Sequence, residues 1–282
     1  MLVNMKEMLE KAKEGKYAVA HFNINNLEWT RFILEASEES KSPVILGVSE
    51  GAIKYMGGYS IVSFIVHGLI MELNITVPVA LHLDHGSSIE SCKKAIDVGF
   101  TSVMIDGSKY PIEENLKMTK EVVDYAHSKG VTVEAEVGAI GGEEDGVANE
   151  LMYATIEDAK KMKNIGIDFL APALGSVHGL YKGEAKLNFE RMMEIRKITN
   201  LPLVLHGGTG IPDEQIKKAI ECGICKLNIN TELQIAWTHD VREFLEKDKS
   251  VYDPRKVIKS GEVAMKKAII KKLELLGCIH KA

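Results

Sequence analysis

With 282 residues, 40 acidic against 35 basic side chains and a formal charge of −5, the chain shows no electrostatic signature for nucleic acid or an anionic membrane as its main partner. A composition 45% hydrophobic and 27% charged, with 7 prolines, is that of a globular protein able to bury about three quarters of its unfolded surface. It excludes disorder, a collagen-like repeat and a stapled mini-domain, and leaves two ordinary domains or one α/β barrel of about 250 residues.

The N-terminus, Met1-Leu2-Val3-Asn4-Met5-Lys6-Glu7, brings charge at once and no apolar run, so no signal peptide is expected. Short apolar or β-branched runs then alternate with amphipathic segments of helical period. The strands are expected at 17–24, 43–49, 77–84, 102–106, 132–137, 169–175, 202–206 and 226–229. Helical patterns are expected at 28–40, 89–98, 112–128, 156–165, 189–198 and 214–222, with Gly99, Gly130, Gly166 and Gly223 placed as C-caps. Two further helices are expected at 232–247 and 253–276.

Eight βα units without a break in composition predict a single (β/α)8 TIM barrel spanning 1–282, with a C-terminal helical extension from about 250. A doubly wound sheet also satisfies the alternation. The barrel is favoured because nearly every strand ends in a polar residue or glycine, and a barrel gathers those ends on one face. Between Tyr55 and Met71 lie 17 residues without a charge, but they include glycines, serines and His67, too short and too polar a stretch to span a bilayer. A cytoplasmic protein is expected. Four scattered cysteines form no disulfide framework, and Cys222-Gly-Ile-Cys225 ends a helix where a reactive pair needs a helix start.

Three histidine segments follow strands three, six and seven: His82-Leu-Asp84-His85-Gly86, Ser176-Val-His178-Gly179 and His206-Gly-Gly-Thr-Gly210. Any one alone reads as a satisfied strand-end histidine. Three imidazoles converging on one face, with an open fourth position, match a catalytic zinc site. At the third strand the reading stays open, because His82 and Asp84 share a face while His85 points away or begins the loop. Either way Asp84 and a histidine can flank one substrate atom, a proton carrier beside a Lewis acid. His21 has no evident partner, and His67, His127, His239 and His280 read as surface or packing residues. The glycines 207, 208 and 210 and the Asn228-Ile-Asn230-Thr231 run follow strands seven and eight, the recurrent phosphate site of such barrels. The segment from Glu134 and Glu136 to Glu143-Glu144-Asp145-Gly146 is expected as a strand running into a long acidic loop. Its inner carboxylates, joined by Asp106, suit a second cation, and the loop can carry a base over the site.

The segments LHLDHGSS, TSVMIDGS, VEAEVGAIGGEEDG, APALGSVHGLYKGE, PLVLHGGTGIP and KLNINTE, in this order and spacing, resemble the class II, metal-dependent ketose-bisphosphate aldolases, from Asn23 to Lys256. The resemblance implies a TIM barrel, a homodimer or homotetramer, and reversible cleavage of fructose 1,6-bisphosphate into dihydroxyacetone phosphate and glyceraldehyde 3-phosphate, a step of glycolysis and gluconeogenesis. It implies zinc on His85, His178 and His206, with Asp84 as proton carrier at the C4 oxygen. Asp106 and Glu136 would hold a second divalent or a monovalent cation, and Glu144 would move the C3 proton. Gly179, Lys182, Gly207, Gly208, Thr209, Asn228, Ile229, Asn230 and Thr231 would contact the triose phosphate. Ser49 and a neighbouring subunit's Arg255 would contact the second phosphate.

No lysine stands at the end of strand six for Schiff-base chemistry, and Lys226, starting strand eight, is expected on the wrong face. Some relatives carry Asp where this chain has Asn230, so no ionic role is assigned there. VILGVSEGA and APALGSVHG favour the fructose branch of the family. Gly179-Leu-Tyr181, Thr231-Glu-Leu233 and 257–265 lean toward tagatose bisphosphate, an isomer at C4. A non-catalytic sugar-phosphate-binding barrel is the reading from another class, and Asp84 with Glu144 argues against it.

Overall fold

The structure, a computed structural model, describes residues 2–144, 147–179, 181, 183 and 185–282, without the side chains of 143, 144 and 147–149. In chain order the elements are α1 (Lys6–Gly15), β1 (Val19–Asn23), α2 (Leu27–Glu39), β2 (Val44–Ser49), α3 (Glu50–Met56), α4 (Tyr59–Glu72), β3 (Val79–Gly86), α5 (Ile89–Asp97), β4 (Ser102–Ile105), α6 (Ile112–Ser128) and β5 (Thr132–Val137). There follow β6 (Gly141–Glu144), β7 (Val147–Asn149), α7 (Ile156–Asn164), β8 (Phe169–Pro172), β9 (Val177–His178), α8 (Phe189–Thr199), β10 (Leu203–Leu205), α9 (Asp213–Cys222), β11 (Ile224–Ile229), α10 (Thr231–Lys247), α11 (Pro254–Ser260) and α12 (Glu262–Leu276).

Eight strands, β1, β2, β3, β4, β5, β8, β10 and β11, pair in parallel and close into a barrel through β1 and β11. Closure settles the choice between a barrel and an open, doubly wound sheet. Several helices start where a polar side chain caps them: Asn26 accepts from Trp29 N–H at 2.7 Å, Ser88 from Ser91 N–H at 3.1 Å, and Thr155 from Asp158 N–H at 3.0 Å. The apolar core lies mainly between the strands and this helical ring. Inside the barrel the usual branched aliphatics give way to polar residues at every second position: His21 and Asn23 on β1, His82 and Asp84 on β3, Glu134 and Glu136 on β5, Lys226 and Asn228 on β11. All eight are at most 8% exposed.

Three expectations need correction. The acidic segment is not simply a loop: β6 pairs antiparallel with β7 and parallel with β9, a small sheet beside the barrel mouth. The helix expected over 253–276 is two helices broken at Gly261. There a Cβ would sit 2.3 Å from the Trp237 ring, and Trp237 Nε1–H takes the Ile258 carbonyl at 3.1 Å. Helices α1, α3 and α4 lie outside the helical ranges expected from the sequence. Among the described residues no single helix is long and apolar enough to cross a membrane. All four cysteines are free and buried, and burial pushes the Cys225 thiol up to about 11, so the CxxC spacing carries no reactive thiolate.

Candidate active site

At the third strand it is His85 whose ring stands with those of His178 and His206, while His82 lies with His21 and Asp84. The pairing of β3 with β4 slips between Leu83 and Gly86, and His85 adopts φ +49, a left-handed backbone costly for a residue with a Cβ. The kink turns the ring to the mouth, where the ring centroids of His85, His178 and His206 lie 4.7–5.7 Å apart. One nitrogen from each of the three falls within 4.8 Å of the others.

Neighbouring carboxylates fix which nitrogens carry hydrogen. His85 Nδ1 lies 2.7 Å from Asp106 Oδ2, and His206 Nε2 lies 3.0 Å from Glu134 Oε1. An ionised carboxylate only accepts, so these nitrogens donate and the opposite ones present lone pairs. Those lone pairs, on His85 Nε2 and His206 Nδ1, face each other at 2.9 Å. Two such acceptors repel unless a cation joins them, and tetrahedral zinc with bonds of about 2.05 Å spaces its ligands about 3.3 Å apart. The donor set therefore fits a metal. Burial holds His206 down to about 4, so the ring is neutral near pH 7, as ligation requires.

Asp84 sits beside this trio, 1% exposed. Its Oδ2 accepts from Asn23 Nδ2–H at 2.8 Å, its Oδ1 from Asn228 Nδ2–H at 3.3 Å, and His21 Nε2 stands 3.5 Å from Oδ2. Burial alone would raise this carboxyl, but the imidazoles of His21, His85 and His206 hold it well below the usual range. Beneath His206, Glu134 bridges to the fully buried Lys226 at 2.9 Å. Lys226 lies within the strand rather than at its start, and its ammonium is committed to Glu134 under the histidines.

A cavity of about 220 Å³ opens next to the histidines, lined by Asn23, His178, Gly179, Gly207, Gly208, Thr209, Asn228, Asn230, Thr231 and Gln234. It abuts the start of α10, a 17-residue helix whose first turn offers N–H groups and a positive dipole end. Thr209 Oγ1 already accepts the Glu232 N–H there at 3.2 Å. Gly207 has φ +65, and a Cβ on it would sit 2.1 Å from the Val177 carbonyl oxygen, so only glycine permits this approach.

The remaining expected residues fall as follows. Glu136 Oε1 accepts from Ile140 N–H at 2.9 Å, and Glu136, Asp106 and His85 form a second cluster with ligand atoms within 4.8 Å. Ser49 stands in register with Asp84, its hydroxyl capping α3 through Ala52 N–H. Ile229 is buried in the core. Arg255 lies on α11, 90% exposed and paired with Asp253 at 2.9 Å. Glu144 belongs to β6 by its backbone, and its side chain and Lys182 lie outside the described residues. The sequence offered no role for Asn23 or Gln234 and no partner for His21, and it suggested Glu134 for a second cation, whereas Glu134 lies between His206 and Lys226. The alternation of polar residues along β1, β3, β5 and β11 was the signal that placed most of them inside.

A closed parallel barrel whose strand ends gather three imidazoles and a buried carboxylate has the architecture of a metal-dependent barrel enzyme. The family model described as fructose-bisphosphate aldolase class-II matches residues 3–281. The chain is 61% identical to the fructose-bisphosphate aldolase of Geobacillus stearothermophilus, covering 100% of this chain and 99% of the relative. It is 58% identical to that of Staphylococcus aureus strain Mu50, with the same coverage. The crystal structure of the YdjI aldolase from Escherichia coli K12 superimposes with a TM-score of 0.88 at 35% identity, over 100% of both chains. The chain belongs to the class-II fructose-bisphosphate aldolase family, a metal-dependent family of lyases.

Proposed function

We propose that the protein catalyses the reversible, zinc-dependent cleavage of fructose 1,6-bisphosphate to dihydroxyacetone phosphate and glyceraldehyde 3-phosphate. The observation that carries this reading is the meeting of three imidazoles, two of them turning lone pairs toward each other, with the buried Asp84 carboxylate and a polar cavity at a helix start, all at one barrel mouth. Zinc held by His85, His178 and His206 would supply a Lewis acid for the negative charge that C3–C4 cleavage leaves on the triose fragment.

The chain's own residues divide the rest. Asp84, ionised and oriented by Asn23 and Asn228, takes the C4 hydroxyl proton in cleavage and returns it in condensation. Glu144 exchanges the proton at C3. Gly179, Lys182, Gly207, Gly208, Thr209 and the run from Asn228 to Thr231 hold the triose phosphate, with α10 aimed at its charge. Ser49 and Arg255 from a second copy take the other phosphate in a homodimer or homotetramer. Asp106 and Glu136 orient His85 and are placed to bind a second cation.

Two measurements test this. Asp84→Asn should lower kcat for cleavage by about 10²- to 10⁴-fold with KM little changed, and a variant within threefold of wild type would remove the proposed proton carrier. For the sugar, kcat/KM on fructose 1,6-bisphosphate should exceed that on the tagatose isomer at least tenfold, and the reverse order would reassign the substrate.

A further inference from the structure

Tyr181 is used by none of the roles above, yet its hydroxyl makes two hydrogen bonds at the centre of the site. The Val177 N–H donates to Tyr181 Oη at 3.1 Å, and Tyr181 O–H donates to the Gly207 carbonyl at 3.1 Å. Val177 immediately precedes His178, and Gly207 immediately follows His206. One hydroxyl therefore ties together backbone groups of the residues next to two of the three imidazoles. Gly207 also opens the loop that lines the phosphate cavity. The ring packs against the core, and burial raises the phenol above its ordinary value, so the hydroxyl keeps the proton it donates. A further contact between the two segments is the apposition of Gly207 to the Val177 carbonyl, which excludes a side chain but supplies no directional bond.

We infer that the Tyr181 hydroxyl is a positioning group that sets the spacing of His178 and His206 and couples that pair mechanically to the phosphate loop. This rests on the reading of the cavity as the phosphate site and of the histidines as the metal site. An anion that orders the Gly207–Thr209 loop then holds His206 and, through the phenol, His178 in ligating geometry. By linkage a metal on the histidines tightens the anion site by the same factor. Tyr181 acts through these backbone groups and touches no reacting atom.

The test uses the full chain, wild type and Tyr181→Phe, which keeps the ring and deletes the hydroxyl. Methyl phosphate is titrated into metal-free and zinc-loaded protein, and zinc is titrated with and without methyl phosphate. In wild type each ligand should strengthen the other about five- to tenfold, the scale of a hydrogen bond made in one state only. In Tyr181→Phe the coupling should fall below twofold and zinc binding alone should weaken about five- to tenfold, with an unchanged melting temperature showing that the fold is kept. Undiminished coupling in the variant would overturn the inference and leave the phosphate reading intact. Failure of methyl phosphate to bind wild-type protein at all would overturn both.

Discussion

Glu134 does not line the cavity, yet it stands between a buried ammonium and a candidate metal ligand. Its carboxylate meets Lys226 at 2.9 Å and His206 at 3.0 Å, with all three side chains at 0% exposure. Burial would raise this carboxyl, but the Lys226 charge and the His206 hydrogen bond hold it well below the usual range. Glu134→Gln should therefore leave Lys226 uncompensated and cost about 3–5 kcal/mol in denaturant unfolding. It should also weaken zinc binding about 10- to 100-fold, because His206 exchanges a charged, accept-only carboxylate for a neutral amide that fixes its tautomer and basicity less well. Adding Lys226→Met should restore most of the stability but not the zinc affinity; if it restored both, Glu134 would be serving the lysine alone. At this scale the sequence was partly legible. The polar alternation His82, Asp84 and Glu134, Glu136 could be read directly. The turning of His85 could not, since it depends on a β3 slip and a left-handed φ that no glycine or asparagine marks.

Among the elements, Glu38 ties the end of α2 to the chain entering β3. Glu38, in the last turn of α2, accepts from Thr76 N–H at 2.7 Å and Val77 N–H at 3.1 Å, and it pairs with Lys41. Partial burial opposes ionisation, but these donors bring the carboxyl down to about 2. A folded-state value below the unfolded one of about 4.3 gives stability that is complete above that pH and is lost as the pH falls toward 2. Lys41 is 52% exposed and screened by solvent, so the contribution near neutrality is about 1 kcal/mol. Glu38→Gln should lower stability by that amount at pH 7 and by almost nothing at pH 2, measured by urea unfolding. An equal loss at both pH values would contradict the assignment. Element existence was legible wherever a period ran long: α6 and β5 fall on their expected bounds. Two of the features that escaped were set by tertiary contact. The break at Gly261 is made by the Trp237 ring, and the β6–β7 pair is docked on β9.

For the whole molecule, a net charge of −5 describes the surface and not the site. Attraction for a doubly anionic substrate is local: the start of α10 and the glycine-rich turn at Gly207 border one cavity, beside a cluster of three imidazoles that could hold a cation. The barrel itself was legible from eight alternating units, while its closure and the polar interior required the register between strands. Removal and return of the metal is the most direct test of the proposed chemistry. Exhaustive chelation should abolish cleavage of fructose 1,6-bisphosphate, one equivalent of zinc should restore it, and His178→Ala should lose both the bound zinc and the restoration. Cleavage that survives chelation and is instead lost on borohydride treatment with substrate would contradict it.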